Sequence, residues 1–188
     1  MTKVTPSTLS PRAAALCELL WSTTRRSRLI GVYALLDCAR DPAIFPALEA
    51  SGLEYRCFFS RPLPRLLRAA SPHLVRLARD ADLTAWLAEK GWGNAFGVYL
   101  TSATPMPAVW AHLRALWRTE HEGKPVFFRY YDPRVLRAYA PTIADAPNLR
   151  AVFGPVSRFY VEDENPAQCL VFARNLDALA SRVHNLEA

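Results

Sequence analysis

The 188-residue sequence contains no apolar run approaching the roughly 20 residues that a membrane-spanning helix requires. Its first thirty residues lack a basic stretch followed by an apolar core, so a secretory signal is not expected. No C-x-x-C pair occurs: Cys17, Cys38, Cys57 and Cys169 are widely separated. Small buried hydrophobes in a reducing, cytoplasmic setting are their expected role. The G-x-x-x-x-G-K-[ST], G-x-S-x-G and H-E-x-x-H patterns are absent, which removes the common phosphate-loop, serine-nucleophile and zinc-protease motifs. His73, His112, His121 and His184 match no Cys/His zinc spacing, so no zinc site is expected from them. Internal repeats, low-complexity tracts and clear linkers are also missing. Lysine is scarce, and nearly all the positive charge is arginine.

What is present is an ordinary globular composition, 51% hydrophobic and 21% charged. It suits one α/β domain over residues 1–188, with residues 1–9 as a loose lead-in. The net charge of +6 comes from dispersed arginines and reads first as a solvated basic surface. Ser10-Pro11 caps a helix carrying Leu16, Leu19 and Leu20 and running to about Arg25. Leu29 to Leu36 is almost continuously apolar, as in a strand buried on both faces. A helix from Asp41-Pro42 to Gly52 and a strand over Tyr55–Phe59 follow, which sets up a β-α-β rhythm. The pattern then predicts a helix over residues 63–70 and a strand at 73–77. A helix from Asp82 to Gly91, a strand over 96–101 and a helix from Pro107 come next. Residues 141–150 read as irregular. Phe153, Phe159–Val161 and Cys169–Phe172 read as short strands, and 174–187 as an amphipathic final helix on Leu176, Leu179 and Val183. The fold class predicted is α/β, with a mostly parallel or mixed central sheet covered by helices, short C-terminal strands and a terminal helix.

The chain is organised around Val126-Phe127-Phe128-Arg129-Tyr130-Tyr131-Asp132-Pro133-Arg134-Val135-Leu136. Aromatic and β-branched residues predict a buried strand, and Asp132-Pro133 predicts the capped start of a helix. Asp37 and Asp132 would then both sit at carboxyl ends of central strands, where open α/β sheets bind ligands. Two such carboxylates could hold a metal or share acid–base work. The simpler reading makes Asp132 an N-cap, with Arg40, Arg129 and Arg134 pairing with the carboxylates. Gly91-Trp92-Gly93-Asn94-Ala95-Phe96-Gly97 has the wrong spacing for a phosphate loop and fits a helix end with a tight turn. Cys38, beside Asp37, occupies a place where a thiolate could react, though no base is identifiable. Trp92, Trp110, Trp117, Phe127, Phe128, Tyr130 and Tyr131 are expected mainly in the core. Any that are exposed beside arginine would suit base stacking or a protein interface.

Tyr33-Ala34-Leu35-Leu36-Asp37-Cys38-Ala39-Arg40, Pro72-His73-Leu74-Val75-Arg76-Leu77, Trp92-Gly93, His112-Leu113-Arg114, the Phe128–Leu136 segment and Phe153-Gly154-Pro155-Val156 occur in that order. Over residues 30–162 the chain resembles domain-of-unknown-function family 4123 (DUF4123), the adaptor chaperones of bacterial type VI secretion. Cys38 stands where that family commonly has Gly, and Asn94–Gly97 lengthens the run after Trp-Gly. The resemblance implies a cytoplasmic, non-enzymatic adaptor without cofactors. It would bind a secreted effector and load it onto the valine–glycine repeat spike protein, with neither a specific nucleic acid nor a membrane as partner. Asp37, Arg40, Trp92, Arg129, Tyr131, Asp132 and Arg134 are the family-motif residues and the candidate interaction residues. The alternative is a small α/β enzyme acting on a phosphorylated or anionic substrate through Asp37 and Asp132. A nucleic-acid-binding module, resting on charge and aromatics, is a third reading.

Overall fold

A computed structural model describes residues 9–24, 29–59 and 61–187. Along the chain these form α1 (Pro11–Trp21), β1 (Gly31–Asp37), α2 (Ile44–Ala50), β2 (Tyr55–Cys57), α3 (Arg65–Ala69) and β3 (Pro72–Arg76). Next come α4 (Asp82–Trp86), which runs into a π-helical turn at Leu87–Gly91, then β4 (Gly97–Ser102) and α5 (Met106–Trp117). A small hairpin of β5 (Arg118–His121) and β6 (Lys124–Phe127) leads to α6 (Pro133–Tyr139) and α7 (Ala146–Phe153). The last elements are β7 (Arg158–Glu162), β8 (Gln168–Asn175) and β9 (Ala178–Asn185).

All seven residues of β1 are buried, because its side chains feed two separate cores. Val32, Ala34 and Leu36 pack with Leu16, Ile44, Phe45 and Leu87 on one face of the sheet. Tyr33 and Leu35 pack with Val109, Leu113, Phe153 and Phe159 on the other. Each fully buried Leu or Phe contributes about 1.5–3 kcal/mol, so burial on both faces of β1 is a large part of the stability. Gly97 permits the β1–β4 approach: a Cβ there would lie 2.1 Å from the Leu35 carbonyl oxygen.

The chain combines helices with a central sheet as expected, but the sheet is neither mostly parallel nor mixed. The order is β2-β3-β1-β4-β7-β8-β9, and every neighbouring pair runs antiparallel. β1 and β2 do run the same way, so the β-α-β rhythm exists locally; β3 inserts between them. Continuous apolarity reports that both faces are covered, and helices cover both faces here without parallel neighbours.

Three further expectations are corrected. Residues 126–131 do not form a central strand. Glu122 and Gly123 both adopt positive φ (51° and 74°), the geometry of a two-residue hairpin turn, so β6 folds back on β5 outside the main sheet. Residues 146–153 form a helix, capped by Asp145, which accepts the Asn148 amide at 2.8 Å, and Phe153 ends that helix. Residues 174–187 hold no helix. Leu176 sits in a turn at φ 54° and joins β8 to β9. Leu176, Leu179 and Val183 mimic helical spacing, while Leu179, Ser181 and Val183 equally satisfy period two. α1 stops at Trp21, short of the expected Arg25, with residues 22–24 in a turn; Arg25 and residues 1–8 of the lead-in lie outside the described residues.

Candidate functional site

β1 and β7 are both antiparallel to β4, which lies between them, so their carboxyl ends meet beside the amino end of β4. This brings Asp37, Glu162 and the loop over residues 92–96 to one end of the sheet. The chain leaving β6 reaches the same place through Phe128–Asp132 before starting α6.

Each carboxylate there has a built-in partner. Arg129 Nη2 donates to Asp37 Oδ2 at 2.8 Å, and Asp37 Oδ1 also accepts the Ala39 amide at 3.2 Å. Asp132 caps α6 by accepting the Arg134 amide at 3.0 Å. The Arg134 guanidinium grips the same carboxylate through Nε at 2.9 Å and Nη2 at 2.6 Å. Burial pushes the Asp132 carboxyl up, but the Arg134 hydrogen bonds and the charges of Arg134 and Arg129 outweigh it and hold it below the usual range. The Arg129 guanidinium lies 5.8 Å from the centre of the Tyr131 ring. Burial and the Asp37 charge raise the Tyr131 phenol. The side chains of Asp37 and Asp132 are 5% and 7% exposed, whereas those of Arg129 and Arg134 are 53% and 52% exposed. The carboxylates therefore form the floor, and the guanidinium groups face outward.

The third carboxylate, Glu162, is buried and fills a nest of backbone amides. It accepts from Gly93 at 2.6 Å and from Ala95 at 2.9 Å. Gly93 and Ala95 both have positive φ (85° and 56°), and their two amides turn inward while the Asn94 amide between them bonds the Gly91 carbonyl. Burial raises the Glu162 carboxyl despite these bonds. Trp92 is buried, with its Nε1 donating to the Pro166 carbonyl at 2.8 Å, and exposed Arg40 donates from Nε to Asn94 O at 3.1 Å. All seven residues singled out from the sequence thus lie on this end of the sheet or on the loop that closes it. Arg129 and Arg134 pair with the carboxylates as the simpler reading has it, and Arg40 takes a backbone carbonyl instead. Among the described residues no group of three or more His, Cys, Asp and Glu side chains is arranged to hold a metal ion.

The family model described as domain of unknown function (DUF4123) matches residues 32–150, more than half of the chain. The protein belongs to the DUF4123 family. No match is found among curated proteins or among solved structures.

In this DUF4123 chain the glycine-rich stretch 91–97 does bind an anion, but the anion is the protein's own Glu162. Sequence reasoning missed that residue. Its signal is a carboxylate in the buried phase of β7, in line with Tyr160. Cys38 is buried, its Sγ 3.4 Å from His73 Nδ1, and burial raises its thiol far above the ordinary range. His73 is held neutral, pushed down to about 4 by burial. His73 Nδ1 also faces the Ser71 carbonyl at 2.9 Å and so carries the ring proton, which leaves that nitrogen no lone pair to take a proton from Cys38. Burial likewise raises Cys17 to about 11 and Cys169 to about 12. His112 is a packed histidine, with Nε2 3.1 Å from the Val152 carbonyl. Of the seven aromatics named above, Trp92, Trp117, Tyr130 and Tyr131 are buried, while Phe127 is 59% exposed and stacks on Trp117 at 4.7 Å. Phe59 meets the same indole edge-on at 5.0 Å, so a small aromatic surface lies beside the β5–β6 hairpin. No helix among the described residues is long and apolar enough to cross a membrane.

Proposed function

We propose that the protein is an adaptor that binds a type VI secretion effector and loads it onto the valine–glycine repeat spike protein. The observation carrying this reading is the way the family segment Phe128–Leu136 is used. Its acidic residue is sealed under Arg134, and it presents guanidinium groups outward. Exposed arginines and exposed aromatics, here Arg129 and Arg134 at the sheet end and Phe127 and Phe59 beside the hairpin, are residue types that anchor protein interfaces. An enzyme working through Asp37 and Asp132 needs at least one of them free to reach substrate, and each is already held by an arginine. The adaptor is expected to co-purify with an effector encoded beside it, chiefly through the part of the effector outside its toxic domain. Deleting the gene should abolish delivery of that effector while the secretion apparatus still fires. If no effector candidate from the gene cluster binds, and all are delivered without the protein, the assignment fails.

A further inference from the structure

The two edges of the sheet are finished differently. The β2 edge is three residues long and is covered, with Trp110 Nε1 donating to Cys57 O at 2.9 Å and Arg114 Nε donating to Phe58 O at 2.7 Å. β9 is eight residues long, contains no proline, and among the described residues pairs on one side only. Leu186 N donates to Ala167 O at 2.8 Å, which sets the phase of the β8–β9 ladder. Even-numbered residues of β9 turn their backbone groups to β8, so Leu179, Ser181, Val183 and Asn185 turn theirs outward. Among the described residues nothing bonds to that outward row. A long open edge of this kind is a template for another strand.

The side chains beside the edge carry a second, independent signal. Arg182 and His184 lie on the face that bears α1, in line with Arg158 of β7. Small residues at Ala173 and Ala180 open a trough of about 270 Å³ there, walled by Leu19 and Ser22 at the end of α1. It adjoins a recess of about 550 Å³ shared by Arg158, Arg182 and Thr101. No carboxylate among the described residues is within ion-pair distance of Arg158 or Arg182. The hydroxyls of Thr101 and Tyr160, both buried, also lack a hydrogen-bond partner. On the opposite face of β9, Leu179 packs on the core and Val183 is largely exposed.

We propose that β9 is a docking edge for an extended acidic segment of a partner protein. The segment adds as an eighth strand, hydrogen-bonded to the outward groups of Leu179, Ser181, Val183 and Asn185. Its side chains alternate, carboxylates over Arg182 and His184 and apolar groups over Val183. A second copy of this chain is a poorer occupant, because β9 on β9 sets Arg182 and His184 against their own counterparts. A nucleic acid satisfies the arginines but leaves the outward backbone row unpaired. The assignment goes beyond the adaptor reading and holds whether or not the partner is a secreted effector.

The test uses the full chain and a labelled, end-blocked peptide of the length of β9 that alternates Glu and Val, titrated by fluorescence anisotropy. This peptide should bind, and the version with Lys for Glu should bind about tenfold more weakly or worse. Arg182→Glu should reverse that preference while circular dichroism shows an unchanged fold. Ser181→Pro removes an outward amide that β8 does not use, a change an edge strand tolerates, and should abolish binding without unfolding the protein. Equal affinity for the Glu and Lys peptides overturns the proposal, as does a folded Ser181→Pro variant that still binds. Oligothymidylate binding more tightly than the Glu/Val peptide, or sedimentation showing a dimer that Ser181→Pro dissociates, also overturns it.

Discussion

The buried histidine of β3 makes the protein acid-sensitive by a calculable amount. His73 Nδ1 lies 2.9 Å from the Ser71 carbonyl, which can only accept, so the neutral ring carries its proton on Nδ1. Nε2 is buried without a partner, enclosed with the rings of Phe45 and Tyr55 at 5.2 and 5.9 Å. A second proton would sit on Nε2 with no acceptor, and burial lowers the group from 6.5 to about 4. Between those values the unfolded chain binds a proton that the folded chain does not. Stability contributed by the neutral ring is therefore complete above pH 6.5 and is lost as pH falls toward 4. At about 1.4 kcal/mol per pH unit, the loss reaches about 3 kcal/mol. Other groups titrate in the same range, so the measurement is a difference. Asn in place of His73 keeps a donor for Ser71 O and has no second proton to take up. Chemical denaturation of both proteins at intervals from pH 7.5 to 4.5 should show a stability gap that narrows as pH falls. The offset from repacking is constant, so only the slope matters. A gap independent of pH would refute the reasoning and would mean that the folded imidazole can be protonated at ordinary cost.

Three other outcomes follow from the sheet end and its neighbouring surface. Asp132→Ala removes the cap of α6 and should cost about 0.5–2 kcal/mol in thermal or chemical unfolding, whereas Asp132→Asn still accepts the Arg134 amide and should recover most of it. Glu162→Ala strands the Gly93 and Ala95 amides and should cost about 1–3 kcal/mol for each, an effect read by denaturant titration; a loss below 1 kcal/mol would mean that water replaces the carboxylate. Phe127→Ser removes a largely exposed ring stacked on Trp117 and should cost only about 0.5–1.5 kcal/mol of stability. If the aromatic surface anchors the effector, the same change should weaken the complex by about 2 kcal/mol or more in calorimetry.

Some of the architecture was legible residue by residue. Ser10-Pro11 and Asp132-Pro133 start α1 and α6 as written, because a side-chain acceptor followed by Pro leaves a chain little else to do. The apolar run of β1 correctly reported burial on both sides. Strand direction was not legible, since it depends on β3 inserting between β1 and β2, an event far along the chain. The β5–β6 hairpin hid behind aromatic composition: Phe127 has the residue type of a core strand, yet it sits on the surface against Trp117. The last hairpin is ambiguous in sequence because Leu179 and Val183 fit both a helical period with Leu176 and a period of two with Ser181. Of the site, the pairing of Arg129 with Asp37 and of Arg134 with Asp132 was accessible as one of two readings, while the Glu162 nest required knowing that β7 ends beside β1.

The nest changes what the sheet end can do. A loop that turns two amides inward is an anion receptor, and an empty one at this position would argue for a phosphate or carboxylate ligand. Here Glu162 already occupies it, Asp37 and Asp132 are already paired, and Arg137 reaches the Glu162 carbonyl at 3.1 Å from the flank. Every anionic group at the sheet end is thus satisfied from within, and the same pairing leaves the outward halves of the Arg129 and Arg134 guanidinium groups presented in fixed orientation. Fixing an arginine in advance lowers the entropy lost when it meets a carboxylate on another protein. A guanidinium held on a buried aspartate can share its remaining donors without leaving that aspartate unpaired. The arrangement therefore suits recognition of a partner surface, because binding there does not require any internal ion pair to break.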